Sequence, residues 1–94
     1  MTPRDIVLNI AVNMGRLGRF AQEQRPERIR QFIEDTDEYL RLLADAPIKV
    51  RFQKTYDTFL ETFSRLKTTL PFNESWAEEA YTWANVLTHR AKLA

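Results

Sequence analysis

The chain has 94 residues, 44% of them hydrophobic and 29% charged, with a net charge of +1 and no cysteine. These values predict one globular domain over residues 1–94, and they exclude disulfide bonds, thiolate metal sites and catalysis by a thiol. Only two glycines and four prolines are present, and this scarcity of turn-forming residues favours long helices joined by short connections.

The first predicted helix covers approximately residues 3–24. Thr2 is a suitable N-cap, Pro3 fits the first helical position, and the negative charge of Asp5 suits the helix end. One face carries apolar side chains at the helical period: Ile6, Ile10, Met14, Leu17 and Ala21. The helix should end before Pro26, because a residue that precedes proline is pushed out of the α region.

The second predicted helix, approximately residues 26–44, combines an inward face with a charged one. The inward face carries Ile29, Phe32, Ile33, Thr36, Leu40 and Leu43. The other side offers two pairs of opposite charge at i,i+4 spacing, which are Arg30 with Glu34 and Asp37 with Arg41.

The third and fourth predicted helices span approximately residues 48–70 and 74–92. The third carries an aromatic-rich stripe of Ile48, Phe52, Tyr56, Phe59, Phe63, Leu66 and Leu70. The fourth aligns Trp76, Ala80, Trp83, Leu87 and Ala91. Its N-cap is either Asn73 or Ser75, since the spacing from Ser75 to Glu78 matches a capping box.

No segment shows the sustained alternation of a β-strand, so the sequence predicts an all-α protein. Connections of about two to five residues cannot cross the length of a helix, so consecutive helices should run antiparallel. The expected fold is an up-down-up-down antiparallel four-helix bundle.

Two glycines, Gly15 and Gly18, lie in the interior of the first helix. A phosphate-binding glycine loop must follow a strand and open a helix, and these residues satisfy neither condition. Each costs about 0.8–1 kcal/mol of helix propensity relative to alanine, so close approach of another helix is the expected compensation. That helix belongs either to the same chain, with Trp76 or Trp83 over the glycines, or to a second copy.

The first helix is apolar around most of its circumference between residues 6 and 12. Leu8 and Val12 lie away from the main stripe, and one bundle covers only one side of a helix. We therefore expect self-association or a protein partner along a surface made of Leu8, Ala11, Val12, Gly15 and Gly18.

A cluster of arginines surrounds the junction of the first two helices: Arg16, Arg19, Arg25, Arg28 and Arg30. It suggests an anion-binding or nucleic-acid-binding patch, assisted by the amino end of the second helix. The alternative is a solvated surface partly neutralised by Glu23 and Glu27. The sequence pI of about 8.1 lies below the value of about 9 that is usual for nucleic-acid-binding domains.

Catalytic and metal sites are not expected. The acidic run of residues 34–38 lies off the inward face, and di-iron bundles need a Glu-x-x-His step from each of two helices, whereas this chain has one histidine, His89. His89 has no carboxylate or nucleophile nearby at helical spacing. Asn9 and Asn13 border the first apolar stripe and should hydrogen-bond across the core, to Thr36 or to a tyrosine.

These features predict a non-enzymatic, cytoplasmic protein–protein interaction module without a cofactor, which forms a homo-oligomer through the first helix. The longest apolar run near the start, IVLNIAV, is far too short to span a membrane. Binding of nucleic acid or another polyanion through the arginines is the alternative function.

Overall fold

The computed structural model describes all 94 residues and confirms the predicted antiparallel four-helix bundle. The helices are α1 (Pro3–Gln22), α2 (Pro26–Ala44), α3 (Val50–Thr68) and α4 (Glu74–Arg90), and a 3-10 turn over Ala91–Leu93 follows them. Each helix begins and ends within two residues of its predicted bounds. The bundle measures 36 × 19 × 18 Å, and none of its helices has the length and apolar character needed to cross a bilayer.

The ends of α1 explain why the helix starts and stops where it does. Thr2 and Asp5 form a capping box, in which the Asp5 amide donates to the Thr2 hydroxyl at 3.1 Å and the Thr2 amide donates to the Asp5 carboxylate at 3.2 Å. At the other end Gln24 adopts a left-handed conformation with φ of 54°. The Arg25 amide then donates to the carbonyl of Phe20 at 2.9 Å, which completes a Schellman motif.

The first helix is the centre of the packing, because it lies between α2 and α4 and contacts both along its length. Small residues allow α1 and α4 to approach closely, and these include Ala11, Gly18, Ala77 and Ala80. The third helix fills the opposite side of the core with Phe52, Phe59 and Phe63. Aromatic side chains of this size hold α3 further from its neighbours while they bury the largest areas.

The structure decides between the two predicted N-caps of α4 and corrects the end of α3. The N-cap of α4 is Asn73, whose side-chain oxygen accepts a hydrogen bond from the Trp76 amide at 3.0 Å, so the alternative, Ser75, lies inside the helix. Leu70 lies beyond α3 and is 69% exposed, because Pro71 prevents the helix from carrying it inward.

The predicted ion pairs of α2 are also wrong. Arg41 pairs with Glu38 instead of Asp37, which reaches across to the amine of Lys67 on α3 at 3.0 Å. No ion pair joins Arg30 to Glu34. A lysine on the next helix therefore takes the carboxylate that the helix-local pattern had assigned to Arg41.

Candidate interaction surfaces

The two glycines of α1 face α4 of the same chain. A Cβ on Gly18 would stand 2.9 Å from three ring atoms of Tyr81, and a Cβ on Gly15 would stand 4.0 Å from the Cβ of Ala84. The expected tryptophan partners are therefore wrong, since a tyrosine and an alanine lie there instead. The hydroxyl of Tyr81 donates to the side-chain carbonyl of Gln22 at 2.9 Å, which holds the ring over Gly18.

The structure corrects the predicted interface at two of its five positions. Ala11 is only 3% exposed and Gly18 is buried, because α4 packs on this flank of α1. Val12 remains 52% exposed, while Leu8 and Gly15 are half-buried beside it. Leu8, Val12 and Gly15 are the part of the predicted surface that a second molecule can reach, and we call them the α1 seam.

The structure brings four of the five predicted arginines together. Their guanidinium groups lie near two stacked rings: Arg19, Arg25 and Arg28 are 4.9, 5.4 and 5.7 Å from the centroid of Phe20, and Arg16 is 5.2 Å from that of Phe32. The two rings are 5.5 Å apart. Arg30 takes no part, because its position on α2 points to the flank opposite Arg28. We call the four clustered residues the arginine patch.

The arginine patch is partly neutralised by an acid. The carboxylate of Glu23 lies 3.9 Å from Arg19 and 3.6 Å from Arg25, and all three side chains are exposed, so these pairs contribute little stability. A depression of about 410 Å³ adjoins the patch at the amino end of α2, where Pro26, Glu27 and Gln31 complete the wall. Arg25, the N-cap residue, makes no side-chain cap there.

Asp35, in the acidic run of α2, makes a hydrogen bond that joins α2 to α1. Asn13 is only 2% exposed, and its amide donates to the carboxylate of Asp35 at 2.8 Å while its carbonyl accepts from Arg16 at 3.2 Å. The predicted partner was wrong, because Thr36 donates to a carbonyl within its own helix at 2.7 Å. Asn9 likewise bonds within α1, to the carbonyl of Asp5 at 2.9 Å.

His89, the acidic run of α2 and Tyr56 lie on three different helices. No group of three or more histidine and carboxylate side chains stands close enough to hold a metal. His89 is exposed, and its Nδ1 lies 2.8 Å from the carbonyl of Asn85 in the preceding turn. Partial burial raises the pKa of Tyr56, and the negative charge of Asp57 raises it further. Tyr56 lies in a groove between α2 and α3.

One further cluster of charges forms where α3 and α4 meet. Arg51 and Lys54 at the start of α3 meet Arg90 at the end of α4, and the three line a cavity between these helices. The antiparallel pairing of α3 with α4 could have indicated this cluster from the sequence, because it predicts that the start of α3 lies beside the end of α4.

Comparison with known proteins gives this chain no relative. No family model, curated protein or solved structure matches it.

Proposed function

We propose that this protein is a non-enzymatic interaction module that self-associates through the α1 seam. The observation that supports this proposal is the exposure of Val12, at 52%, in the middle of a helix already packed on both flanks. A β-branched apolar side chain in that position is favoured if another apolar surface covers it. Leu8 and Gly15, which are half-buried on either side of it, extend the same surface along the helix.

The charges beside the seam favour a second copy as the partner. The arginine patch lies towards one end of the α1–α2 side, and the exposed acids Glu34, Asp35 and Glu38 lie on the adjoining surface of α2. An antiparallel, two-fold arrangement of two copies brings the basic end of one towards the acidic surface of the other. Complementary charge of this kind sets orientation and association rate more than affinity.

The test is sedimentation of the parent chain and of Val12→Glu over a range of concentrations. We expect the parent to form a dimer, and the variant to dissociate at least about tenfold more readily because a charge is buried in the contact. Val50→Glu is the matched control, since Val50 is 91% exposed at the start of α3 and away from the seam. A parent chain that remains monomeric at high concentration would contradict the proposal.

A second proposed function is binding of a polyanion by the arginine patch, and the convergence of four guanidinium groups on Phe20 and Phe32 supports it. The test is binding of a random single-stranded oligonucleotide at increasing salt. If the patch binds, Arg16→Gln and Arg28→Gln should each reduce the salt dependence by about one phosphate contact. Arg30→Gln is the control on the opposite flank of α2, and absence of binding at low salt would end this alternative.

A further inference from the structure

A cavity of about 260 Å³ between α3 and α4 is lined by three cations and by no acid. Its charged walls are Arg51 and Lys54 of α3 and Arg90 of α4, and the side chains of Thr55, Thr58 and Trp83 complete most of the lining. We call it the α3/α4 cavity. It lies on the side of the bundle opposite the α1–α2 surface, so it is separate from both surfaces discussed above.

The cations of this cavity have no carboxylate partner. The five ion pairs of the structure involve other residues, and none includes Arg51, Lys54 or Arg90. Arg90 donates to the hydroxyl of the buried Thr55 at 3.0 Å, while Arg51 makes only long contacts of 3.4 Å with two backbone carbonyls. Three positive charges therefore share one recess, where each raises the potential felt by an incoming anion.

The first turn of α3 carries a cation, Arg51, and no acid. The other three helices each place an acid in the first turn, namely Asp5, Glu27 and Glu74, whereas α3 has none. Arg51 stands there near the positive end of the α3 dipole, which favours negative charge, and its guanidinium makes long contacts with the carbonyls of Lys92 and Leu93.

Trp83 supplies the aromatic part of the wall. Its ring is half-buried and lies 5.4 Å from that of Phe59. The indole N–H of Trp76 donates to the carbonyl of Leu66 at 3.0 Å, whereas that of Trp83 has no acceptor in the protein and is not buried. The lining of the cavity thus combines guanidinium, ammonium and hydroxyl groups with an indole ring, and it includes no Asp or Glu side chain.

We propose that the α3/α4 cavity binds a small phosphate-bearing compound. Guanidinium groups match the oxygens of a phosphate through paired hydrogen bonds, and Lys54 adds a compact positive charge. The cavity is smaller than the roughly 300–1,000 Å³ of sites for drug-sized ligands, so the ligand is inorganic phosphate or a small phosphomonoester. In the second case the group next to the phosphate lies against the ring of Trp83.

The experiment follows the two indole N–H resonances by NMR while orthophosphate or glycerol phosphate is added at constant ionic strength. We expect a saturable shift of the Trp83 resonance and no shift of the Trp76 resonance, because Trp76 is buried away from the cavity. Tighter binding of glycerol phosphate identifies a phosphomonoester, and tighter binding of orthophosphate identifies the inorganic ion. The absence of a saturable shift at millimolar concentrations would overturn the proposal.

Variants then test the site itself. Arg90→Gln and Lys54→Gln should each weaken phosphate binding at least about tenfold, as expected for loss of a charged hydrogen bond. The side chain of Lys54 makes no hydrogen bond or ion pair within the protein, so its replacement leaves the fold intact even if Arg90→Gln perturbs Thr55. Arg28→Gln, in the arginine patch, should bind as the parent does. Equal affinity of Lys54→Gln and the parent would refute the site.

Discussion

The ring of Tyr81 lies so close to Gly18 that three of its atoms stand 2.9 Å from the place where a Cβ would be. Gly15, one turn earlier, has an alanine methyl group at 4.0 Å instead, which is an ordinary contact. The two glycines of α1 occupy similar positions in the sequence, but their surroundings in the structure differ. Gly18 is required by a neighbouring side chain, and Gly15 is tolerated without such a need.

This difference predicts opposite effects of the same substitution. Gly15→Ala should raise the free energy of unfolding by up to about 1 kcal/mol, because it removes a helix-interior glycine without a clash. Gly18→Ala should lower it by about 1 kcal/mol or more, since the Tyr81 ring must move. Urea denaturation measures both. Equal effects of the two substitutions would show that the Tyr81 ring yields without cost.

The left-handed conformation of Gln24 predicts a stabilising substitution. A side chain with φ of 54° costs about 1–2 kcal/mol relative to glycine, so Gln24→Gly should raise the free energy of unfolding by about 1 kcal/mol. Gln53→Gly, in the interior of α3, is the control and should lower it by about 1 kcal/mol. Destabilisation by Gln24→Gly would mean that the glutamine side chain contributes more than its strain costs.

The buried hydrogen bond between Asn13 and Asp35 predicts that an exposed acid matters for stability. Asp35→Ala removes the acceptor at 2.8 Å from a buried amide, which should cost about 1–3 kcal/mol. Glu34→Ala is the matched control, because this neighbouring exposed acid makes no side-chain hydrogen bond or ion pair, and it should change stability by less than about 0.5 kcal/mol. Thermal unfolding of the two variants measures this difference. Indistinguishable midpoints would show that the hydrogen bond from Asn13 to Asp35 does not stabilise the fold.

The capping box of α1 predicts a loss of stability in acid. The hydrogen bonds from the amide and hydroxyl of Thr2 hold the pKa of Asp5 below its usual value of 3.8. The ionised group is therefore preferred by the folded state, so its stabilising effect is present above 3.8 and disappears as the pH falls through the lowered value. We expect Thr2→Ala to destabilise the protein at every pH, because the Thr2 hydroxyl accepts from the Asp5 amide whether or not Asp5 is ionised. The cost should be somewhat larger above 3.8, where the ionised carboxylate also loses its hydrogen bond to the hydroxyl. An NMR titration of the Asp5 carboxyl should give a pKa in Thr2→Ala that is closer to 3.8 but still lowered, because the backbone amide of residue 2 remains as a donor.

The fold was accessible from the sequence because local signals agreed with one another. Caps, prolines and the helical spacing of apolar residues gave the four helices to within two residues at each end. Those signals act within a turn or two of the chain, so they describe each helix separately. They fail at Leu70, where the apolar period continues past the point at which Pro71 forces the backbone out of the helix.

Contacts between helices were harder to predict from the sequence. The side chain opposite Gly18 depends on how far α4 slides along α1, and a one-turn difference separates Tyr81 from a neighbouring alanine. Asp37 was assigned to Arg41 within its helix, but the amine of Lys67 on α3 reaches it. For the same reason the convergence of Arg51, Lys54 and Arg90 became visible only once α3 and α4 were placed side by side.

The close packing of α1 against α4 has a consequence for how the protein is made. During translation α1 leaves the ribosome first and α4 leaves it last of the four helices. The ribosome adds about 5–20 residues per second. For some seconds Ala11 and Gly18 therefore lack the neighbour that encloses them in the finished molecule. During synthesis this uncovered side of α1 is accessible to a chaperone, or to the same side of α1 in another nascent chain.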